Sequence, residues 1–447
     1  MSDTAAEMLN AEMEVDGKEA EESPVDYLWS EIPSDWKSVK GSDVYTVNPS
    51  YKADGEIDYI EMDALDTELA TPTYFGRRDP ADYGGQMFAT GDVLFARITP
   101  CTENGKAALV PELTSEVGIG STEFIVLSPD RNRILPRYLF YLAKSHPVHN
   151  YAVSRMRGST GRQRVPNSVF RDELRIPLPP LDEQRKIASV LLTVDWAIQT
   201  TEAIIAQAKR VQQGLMNELF SSGFFEHEVE TRGTIGRVPA EWTLTKLYKV
   251  ADVERGKFTH RPRNDPGFYG GDYPFIQTGE VVDSIGELRN YSQTLNDRGK
   301  RVSKEFEPGT IILTIAGNVG DTAIATFPVY FPDSLVGITP NEGVDPQYLE
   351  FFLRSRRRYL NRLATKTTQK NLNLAILRPV DVVIPPLNEQ RRIAAVLTNF
   401  DAQVRRGKDY KSQLQRLKKG LMQDLLTGRV RTTDTNIDVL GEVQAHG

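Results

Sequence analysis

Two stretches of the chain contain many basic residues and no acidic residue. They are residues 131–171, with nine arginines and lysines, and residues 351–380, with eight. Aspartate and glutamate make up 61 of the 447 residues, so a 41-residue stretch without either is not expected by chance. Such a composition is typical of surfaces that bind a polyanion, because phosphates attract lysine and arginine and repel carboxylates.

Three polar segments rich in turn-forming residues stand out, two of them in the acid-free stretches. They are RGSTGRQRVPN at 157–167, TKTTQKNLN at 365–373 and RGKFTHRPRNDPGFYGGDYPF at 255–275. Arginine, glutamine and asparagine can make paired hydrogen bonds to base edges, whereas serine, threonine and lysine more often hold phosphates. Taken singly, any of these residues could equally be an ordinary solvated side chain. The candidate DNA-binding residues in these segments or just before them are Arg155, Arg157, Ser159, Thr160, Arg162, Gln163, Arg164, Lys257, His260, Arg261, Arg263, Lys366, Thr367, Thr368, Gln369, Lys370 and Asn371.

The sequence shows no motif for catalysis or for cofactor binding. It has no GxxxxGK[ST] phosphate loop and no [DN]PP[YF] tetrapeptide of the amino-methyltransferases. His146 and His149 have no cysteine or acid nearby that would complete a metal site, and Cys101 is the single cysteine. GNVGDTA at 317–323 is too short for a dinucleotide fingerprint. We therefore expect a binding protein without a catalytic site, cofactor or metal of its own.

The net charge of −7 arises at the N-terminus. Residues 1–26 contain nine acids and one lysine, a local charge of −8, which leaves the rest of the chain at about +1. We expect this acidic leader to be solvated and disordered. The chain has no run of about 18 apolar residues, and its start lacks the basic and apolar regions of a secretory signal, which predicts a cytoplasmic protein.

One phrase of the sequence occurs twice, 206 residues apart. PPLDEQRKIASVL at 179–191 returns as PPLNEQRRIAAVL at 385–397. IPSDW at 32–36 and VPAEW at 238–242 have the same offset, so the chain is predicted to be a tandem duplication. Before each proline pair, short strand-like runs alternate with Gly, Pro and Asn turns. This pattern predicts two mixed α/β globular domains.

After each proline pair the pattern is that of a long helix. Apolar or small residues recur in steps of three and four for about 39 residues, as in a coiled-coil seam, and Asp182 and Asn388 stand where an N-cap is expected. The simplest partner for each helix is its duplicate, packed antiparallel; alternatively, each helix folds back on its own domain. The predicted seam residues are Ile187, Val190, Val194, Ile198, Thr201, Ile205, Ala208, Val211, Leu215 and Leu219 in the first helix, and Ile393, Val396, Phe400, Val404, Gly407, Tyr410, Leu414, Leu417, Leu421 and Leu425 in the second.

These features resemble those of one family, the specificity (S) subunits of type I restriction-modification enzymes. The resemblance is carried by the doubled PPL-x-EQR-x-IA phrase, the GLM triplets at 214–216 and 420–422, LLTGRV at 425–430, GDVLFARITPCTENGK at 91–106, and the two tryptophan-containing segments given above. It covers nearly all of the chain except the acidic leader. The segment at 91–106 adds Arg97 and Lys106 to the candidate DNA-binding residues.

The resemblance implies an architecture and a set of partners. The fold would be two globular target-recognition domains separated by two long helices in an antiparallel coiled coil. Each domain would read one half of a split, asymmetric site on double-stranded DNA. Two adenine-methyltransferase subunits would flank the chain, motor-nuclease subunits could join them, and S-adenosylmethionine, ATP and magnesium would belong to those partners. The predicted domains are a leader at 1–26, recognition domains at 27–178 and 223–384, spacer helices at 179–222 and 385–430, and a tail at 431–447.

The EQR-x-IA starts of the helices are the predicted docking points for methyltransferase subunits. The alternative is that their charged residues only pair across the two helix ends. The residues assigned to partner binding or to the spacer are Glu183, Arg185, Ile187, Val194, Glu389, Arg391, Ile393 and Phe400.

A non-catalytic, sequence-specific DNA-binding subunit is therefore the predicted function. An alternative from another class is a structural adaptor that binds protein or RNA through its two domains. The matched acid-free stretches favour DNA, because an adaptor does not need them. A self-sufficient methyltransferase is disfavoured by the missing NPPY-type motif.

Overall fold

The computed structural model describes residues 29, 32–365, 371–433, 435–441 and 443. The chain divides into two compact units. Unit 1 combines residues up to 199 with residues from 413 onwards, and unit 2 is the continuous run 200–412. We call residues 32–180 the first head and residues 223–386 the second head. Each unit therefore contains one head and a part of each of the two long helices.

The first head is built on two four-stranded sheets. One is antiparallel in the order β2-β9-β6-β7, and the other has the order β4-β3-β8-β5 with β3 and β8 parallel. A third pair, β1 with β10, leads directly into the first long helix. The strands are β1 Lys37–Lys40, β2 Tyr45–Val47, β3 Ile57–Ile60, β4 Gly76–Arg78, β5 Gln86–Ala89, β6 Val93–Ala96, β7 Ala107–Leu109, β8 Val117–Gly120, β9 Phe124–Pro129 and β10 Arg175–Leu178; the helices are α1 Pro136–Lys144, α2 His146–Ser154 and the long α3 Leu181–Ser222.

The second head repeats this plan with additions. Its main sheet has the order β14-β22-β19-β20-β16, a second has the order β17-β15-β21-β18, and the pair β13 with β23 leads into the second long helix. The strands are β11 Val229–Arg232, β12 Gly236–Pro239, β13 Thr243–Lys246, β14 Ala251–Arg255, β15 Tyr269–Phe275, β16 Glu287–Leu288, β17 Gln293–Leu295, β18 Glu305–Phe306, β19 Ile311–Thr314, β20 Thr322–Ala325, β21 Val329–Tyr330, β22 Leu335–Pro340 and β23 Asp381–Ile384; the helices are α4 Leu247–Val250, α5 Thr278–Asp283, α6 Asp297–Arg301, α7 Pro346–Ser355, α8 Arg357–Thr365, α9 Leu374–Leu377 and the long α10 Leu387–Leu426.

The central strand of each main sheet buries both faces, which explains its continuous apolar sequence. In β6, Val93 and Phe95 pack into the core that contains α1, while Leu94 packs into a second core beneath the other sheet. In β19, Ile311 and Leu313 face the core that contains α7, and Ile312 faces the other. Because successive side chains of a strand point to opposite faces, a strand covered on both sides must be apolar throughout.

The two long helices pack antiparallel to each other within each unit. In unit 2, Glu202 pairs with Lys411, while further along α3 Gln212 donates to Asp401 at 2.8 Å. In unit 1, Val194 and Ile198 share a buried cluster with Leu414. The same helices also enter the cores of the heads: α3 contributes Met216, Leu219 and Phe220 to that of the second head. Packing on the duplicate and packing on the head, posed above as alternatives, both occur.

The predicted seam is wrong at three positions. Val211, Tyr410 and Leu417 are 44%, 53% and 51% exposed. At Val211 and Leu417 the inward position falls one residue later, at Gln212 and Lys418, which contact buried carboxylates. A strict heptad drifts against a 3.6-residue helix, and here polar contacts replace the apolar seam that the extrapolated pattern predicts.

The predicted fold class is confirmed: mixed α and β structure with two long helices that pack antiparallel. Among the described residues, no helix has the length and apolar character required to cross a membrane.

Candidate nucleic-acid interface

In the first head, the segment that follows β6 lies beside the polar loop of the first acid-free stretch. The Val165 amide donates to the Arg97 carbonyl at 2.8 Å, and the Thr99 amide donates to the Gln163 carbonyl at 3.0 Å. On its other side, the Arg97 amide donates to the Glu123 carbonyl at 3.0 Å. The backbone thus brings together residues 97–99 and 163–165, although they lie far apart in the sequence.

The polar loop is closed at its base by Arg157 and Arg164. Each donates its amide to the other's carbonyl, at 3.0 and 2.8 Å. The turn between them needs glycine, since Gly158 and Gly161 have φ of 128° and 80°, a region that residues with a side chain rarely adopt. The exposed residues of this loop are Arg157, Ser159, Thr160, Arg162 and Arg164, with Gln163 half-buried.

The candidate arginines of the first head fall into two classes. Arg164 is paired with Glu123 and Arg155 with Glu173, and Arg97 donates to the Asn167 side chain at 3.1 Å. The side chains of Arg157 and Arg162 have no ion-pair partner among the described residues. Burial lowers the pKa of the Arg97 guanidinium, with a smaller contribution from Arg164. The two exposed, unpaired arginines are therefore the ones best placed to meet a phosphate.

Lys106 lies where the same connection returns to β7, but its ammonium is directed inward. It donates to the Met62 carbonyl at 3.1 Å and lies 3.8 Å from the Asp63 carboxylate. Its side chain is therefore engaged within the head.

The second head has the same backbone arrangement with different side chains. The Ile315 amide donates to the Ser334 carbonyl at 3.3 Å, the Leu372 amide donates to the Ile315 carbonyl at 2.9 Å, and Asn371 bridges Ala316. In the first head, the matching bonds run from the Arg97 amide to the Glu123 carbonyl and from the Val165 amide to the Arg97 carbonyl. The matching β-bridge joins Arg164 to Ile98. We call this set of bonds the shared frame. At its equivalent positions, Arg164 of the first head corresponds to Asn371 of the second.

The basic residues at 257–263 adjoin the shared frame of the second head through Asp333, the neighbour of Ser334. Asp333 pairs with both Arg261 and Arg263. His260 stacks on Phe268 and contacts Asp265 at 3.0 Å. Lys257 is exposed and has no ion-pair partner within the described ranges. The candidates Lys366, Thr367, Thr368, Gln369 and Lys370 lie outside the described residues.

The helix starts carry two equivalent buried carboxylates. Trp36 donates its indole N–H to Glu183 at 2.9 Å, and Arg431 pairs with the same carboxylate at 2.9 Å. In unit 2, Trp242 donates to Glu389 at 3.1 Å, and the Phe224 amide donates to Glu389 at 2.8 Å. Each glutamate therefore joins its helix start to a tryptophan of the head and to the chain just beyond the end of the other long helix.

The glutamines that follow complete the attachment. Gln184 accepts from the Leu135 amide at 2.9 Å, and Gln390 accepts from the Asp345 amide at 2.8 Å. The other assigned residues divide: Ile187, Val194 and Ile393 are buried, Phe400 is half-buried, Arg185 pairs with Asp182 within its own helix, and Arg391 is exposed. The repeated EQ pair thus fastens each helix to its head.

Sequence reasoning missed the acids that hold the arginines and the tryptophans that hold the glutamates. Glu123 and Asp333 lie outside the acid-free stretches, so composition gave no sign of them. The tryptophans could have been found, because the Trp36–Glu183 and Trp242–Glu389 pairs are both separated by 147 residues.

The Glu183 contacts predict a pH-dependent stability. Burial raises the pKa of this carboxyl, but hydrogen bonds from Arg431, Trp36 and the Thr432 amide outweigh it and hold the pKa below its ordinary value of 4.5. A depressed carboxyl pKa stabilises the fold above the unfolded pKa, and the stabilisation is lost as pH falls through the folded pKa. We expect the wild type to exceed Glu183→Gln in free energy of unfolding by a constant amount above pH 4.5, and by less below it. Urea titrations across this range measure the difference; a gap independent of pH contradicts the assignment.

No group of three or more histidine, cysteine, aspartate or glutamate side chains that could hold a metal occurs in the described part of the chain.

The model of the type I restriction modification DNA specificity domain matches the chain twice, at residues 33–210 and 239–416. The chain belongs to this family. The two matches are offset by 206 residues, which is the offset of the repeated phrase. The predicted resemblance is confirmed, and the chain is a specificity subunit of a type I restriction-modification system, a non-catalytic component with two DNA-recognition domains.

Relatives of known name agree with this family. A Methanocaldococcus jannaschii protein named as the specificity subunit of the type I restriction enzyme MjaX is 27% identical over 416 residues, covering 90% of this chain and 95% of the relative. The MjaVIII specificity subunit of the same organism is 30% identical over 334 residues, covering 71% and 76%. The solved type I restriction-modification S subunit from M. genitalium has a TM-score of 0.55 at 14% identity, covering 89% of this chain and 96% of that one. This last likeness shows the fold alone.

Proposed function

We propose that each head of this specificity subunit reads one half of an asymmetric, two-part DNA site. The observation that carries the proposal is the shared frame: the backbone bonds are the same in both heads, but Arg164 in one corresponds to Asn371 in the other. Two identical heads would read a palindrome. Heads with a common frame and unlike side chains are suited to unlike half-sites.

The proposed DNA contacts are the candidate residues that surround the shared frame. Arg157 and Arg162 would hold phosphates, because no carboxylate neutralises them in the described structure. Five other candidate arginines are held by neighbouring side chains, as expected of residues that contact base edges. They are Arg97, Arg155, Arg164, Arg261 and Arg263. Residues 366–370 belong to the proposal on their sequence alone.

The proposed partners are two adenine-methyltransferase subunits, with restriction subunits able to join them. The long helices offer exposed apolar side chains as docking surfaces: Trp196 and Leu417 in unit 1, and Ile204, Val211 and Tyr410 in unit 2. The buried contacts of Glu183 and Glu389 favour a fastening role at the helix starts over direct docking. S-adenosylmethionine, ATP and magnesium would be held by the partners, and the complex would act in the cytoplasm, where its DNA is.

Methylome sequencing tests the proposal. A host that expresses this chain with its methyltransferase is compared with a host that has the methyltransferase alone. We expect a split motif with methylated adenine, composed of two different half-sites, only when the chain is present. If the complex forms and no split motif appears, the assignment of one half-site to each head is wrong.

Replacing Arg162 by alanine is expected to weaken DNA binding for all sequences alike. An exposed arginine on a phosphate releases about one counterion, so the slope of log affinity against log salt should fall by about one. Fluorescence anisotropy of the assembled complex between low and high salt measures this slope. Lys37→Ala, the same charge change on the exposed edge strand β1, is the control and should leave the slope as it is. An unchanged slope for Arg162→Ala removes this residue from the phosphate contacts.

A further inference from the structure

One ion pair of the first head has a geometry suited to base recognition. The Arg164 guanidinium donates through Nε and Nη2 to the Glu123 carboxylate, with distances of 2.7 to 3.0 Å. The side chains are 43% and 24% exposed, so the pair lies at the surface of the head. Both residues also belong to the shared frame. Arg164 forms a β-bridge with Ile98, and the Glu123 carbonyl accepts a hydrogen bond from the Arg97 amide.

The carboxylate occupies only one edge of the guanidinium. Glu123 takes the Nε–Nη2 edge, and the one other described contact is a long bond from Nη1 to the Arg162 carbonyl at 3.3 Å. A guanidinium presents five N–H donors in a rigid plane. The Nη1–Nη2 edge is therefore left as a fork of donors whose orientation is fixed by the pair with Glu123.

This arrangement is poorly suited to a phosphate and well suited to a base. The charge of Arg164 is largely neutralised by its partner, so its attraction for a phosphate is weaker than that of Arg157 or Arg162. A fixed pair of donors matches the O6 and N7 acceptors that guanine presents in the major groove. Fixing the side chain before binding also reduces the conformational entropy that is lost on contact.

We propose that Arg164, oriented by Glu123, reads a guanine in the half-site bound by the first head. This inference rests on the proposed function and adds to it the identity of one base pair. The equivalent position of the second head carries Asn371, whose amide cannot present a fork of charged donors. The two half-sites are therefore expected to differ at the base pair read from this position.

The experiment is methylome sequencing of hosts that express the methyltransferase with wild-type chain, Arg164→Ala, Arg164→Lys or Lys37→Ala. Arg164→Lys keeps the charge but loses the fork. Lys37→Ala, the control, removes an exposed positive charge of the first head outside the proposed DNA contacts. We expect both Arg164 variants to accept other bases at one G·C position of one half-site, with discrimination there reduced roughly 5- to 150-fold. Lys37→Ala should keep the motif.

The outcomes separate this inference from the function on which it rests. A wild-type chain that gives no split motif contradicts the proposed function. A split motif that Arg164→Ala leaves intact, or that loosens at an A·T pair, overturns only the role of Arg164. If Arg164→Ala abolishes methylation, the purified complex is titrated with duplexes that each differ from the motif at one base pair. If every changed base pair lowers the affinity of the Arg164→Ala complex equally, the inference is wrong. If one G·C pair can be changed without loss of affinity while changes at the other positions still lower it, the inference is supported.

Discussion

Replacing Arg354 by methionine is expected to lower the free energy of unfolding of unit 2 by about 3 kcal/mol. Arg354 lies between two buried carboxylates, 2.8 Å from Glu350 and 2.9 Å from Asp401, whose side chains are 1% and 3% exposed. Burial alone would lower the pKa of the guanidinium, but the two carboxylates more than reverse this and raise it. Without the arginine, two like charges would remain buried and uncompensated.

The size of this effect follows from the two buried carboxylates that remain when Arg354 is removed. Breaking a buried pair by removing one partner costs more than the pair contributes, because the remaining charge has lost its solvation. Asp401 keeps its bond from Gln212 at 2.8 Å, and Glu350 keeps one from Thr322 at 2.6 Å. These neutral donors cannot balance two negative charges, and we expect one carboxyl to take up a proton instead.

Native-state hydrogen exchange of the buried amides in β19 measures the loss within unit 2. Arg358→Met, the same substitution at an exposed position of α8, is the matched control and should change stability by less than about 0.5 kcal/mol. Burial already raises the pKa of Glu350, and removal of Arg354 should raise it further. The difference in free energy of unfolding between the wild type and Arg354→Met should therefore shrink as pH is lowered. Equal stability of the two methionine variants would contradict this account.

Replacing Glu389 by alanine is expected to destabilise unit 2 by about 2–3 kcal/mol. The carboxylate accepts from the Trp242 indole, the Phe224 amide and His227. Trp242 is 1% exposed, so water cannot readily replace the lost acceptor. Buried donors left unpaired incur the full cost of their desolvation.

The same exchange measurement on β19 reports the effect of Glu389→Ala. Arg391→Ala is the control two residues along the helix, since Arg391 is exposed, and it should leave the opening free energy within about 0.5 kcal/mol. Glu183→Ala is expected to act on unit 1 in the same way, because Glu183 occupies the equivalent position. If Glu389→Ala proves as mild as its control, the glutamate does not fasten the helix.

The repeat and the helices could be predicted because they depend on local pattern. The doubled phrase and the offset of 206 residues gave two equivalent heads, and the spacing of apolar residues gave two long helices. The seam failed at Val211 and Leu417 because the neighbouring Gln212 and Lys418 find buried carboxylates that the pattern does not reveal. The side of a helix that is buried depends on such partners as well as on apolar period.

The candidate site was predicted in part. The acid-free stretches predicted the polar loop, and the structure shows that this loop lies beside residues 97–99. Which arginines are free and which are held could not be predicted, because Glu123 and Asp333 come from other parts of the chain. The same limit applies to the EQ pair: its doubling was evident, but its fastening role depends on Trp36 and Trp242.

Unit 1 is assembled from the beginning and the end of the chain, and this has a consequence during synthesis. Unit 2 is a continuous run, so a nascent chain can complete it once residue 412 has left the ribosome. The first head, although translated earlier, must wait for Leu425 and Leu426 to cover Ile187 and Leu191. We therefore expect unit 2 to finish folding before unit 1, in the reverse of the order of translation. A chain cut off after residue 412 would therefore contain all of unit 2 and a first head without Leu425 and Leu426 in its core.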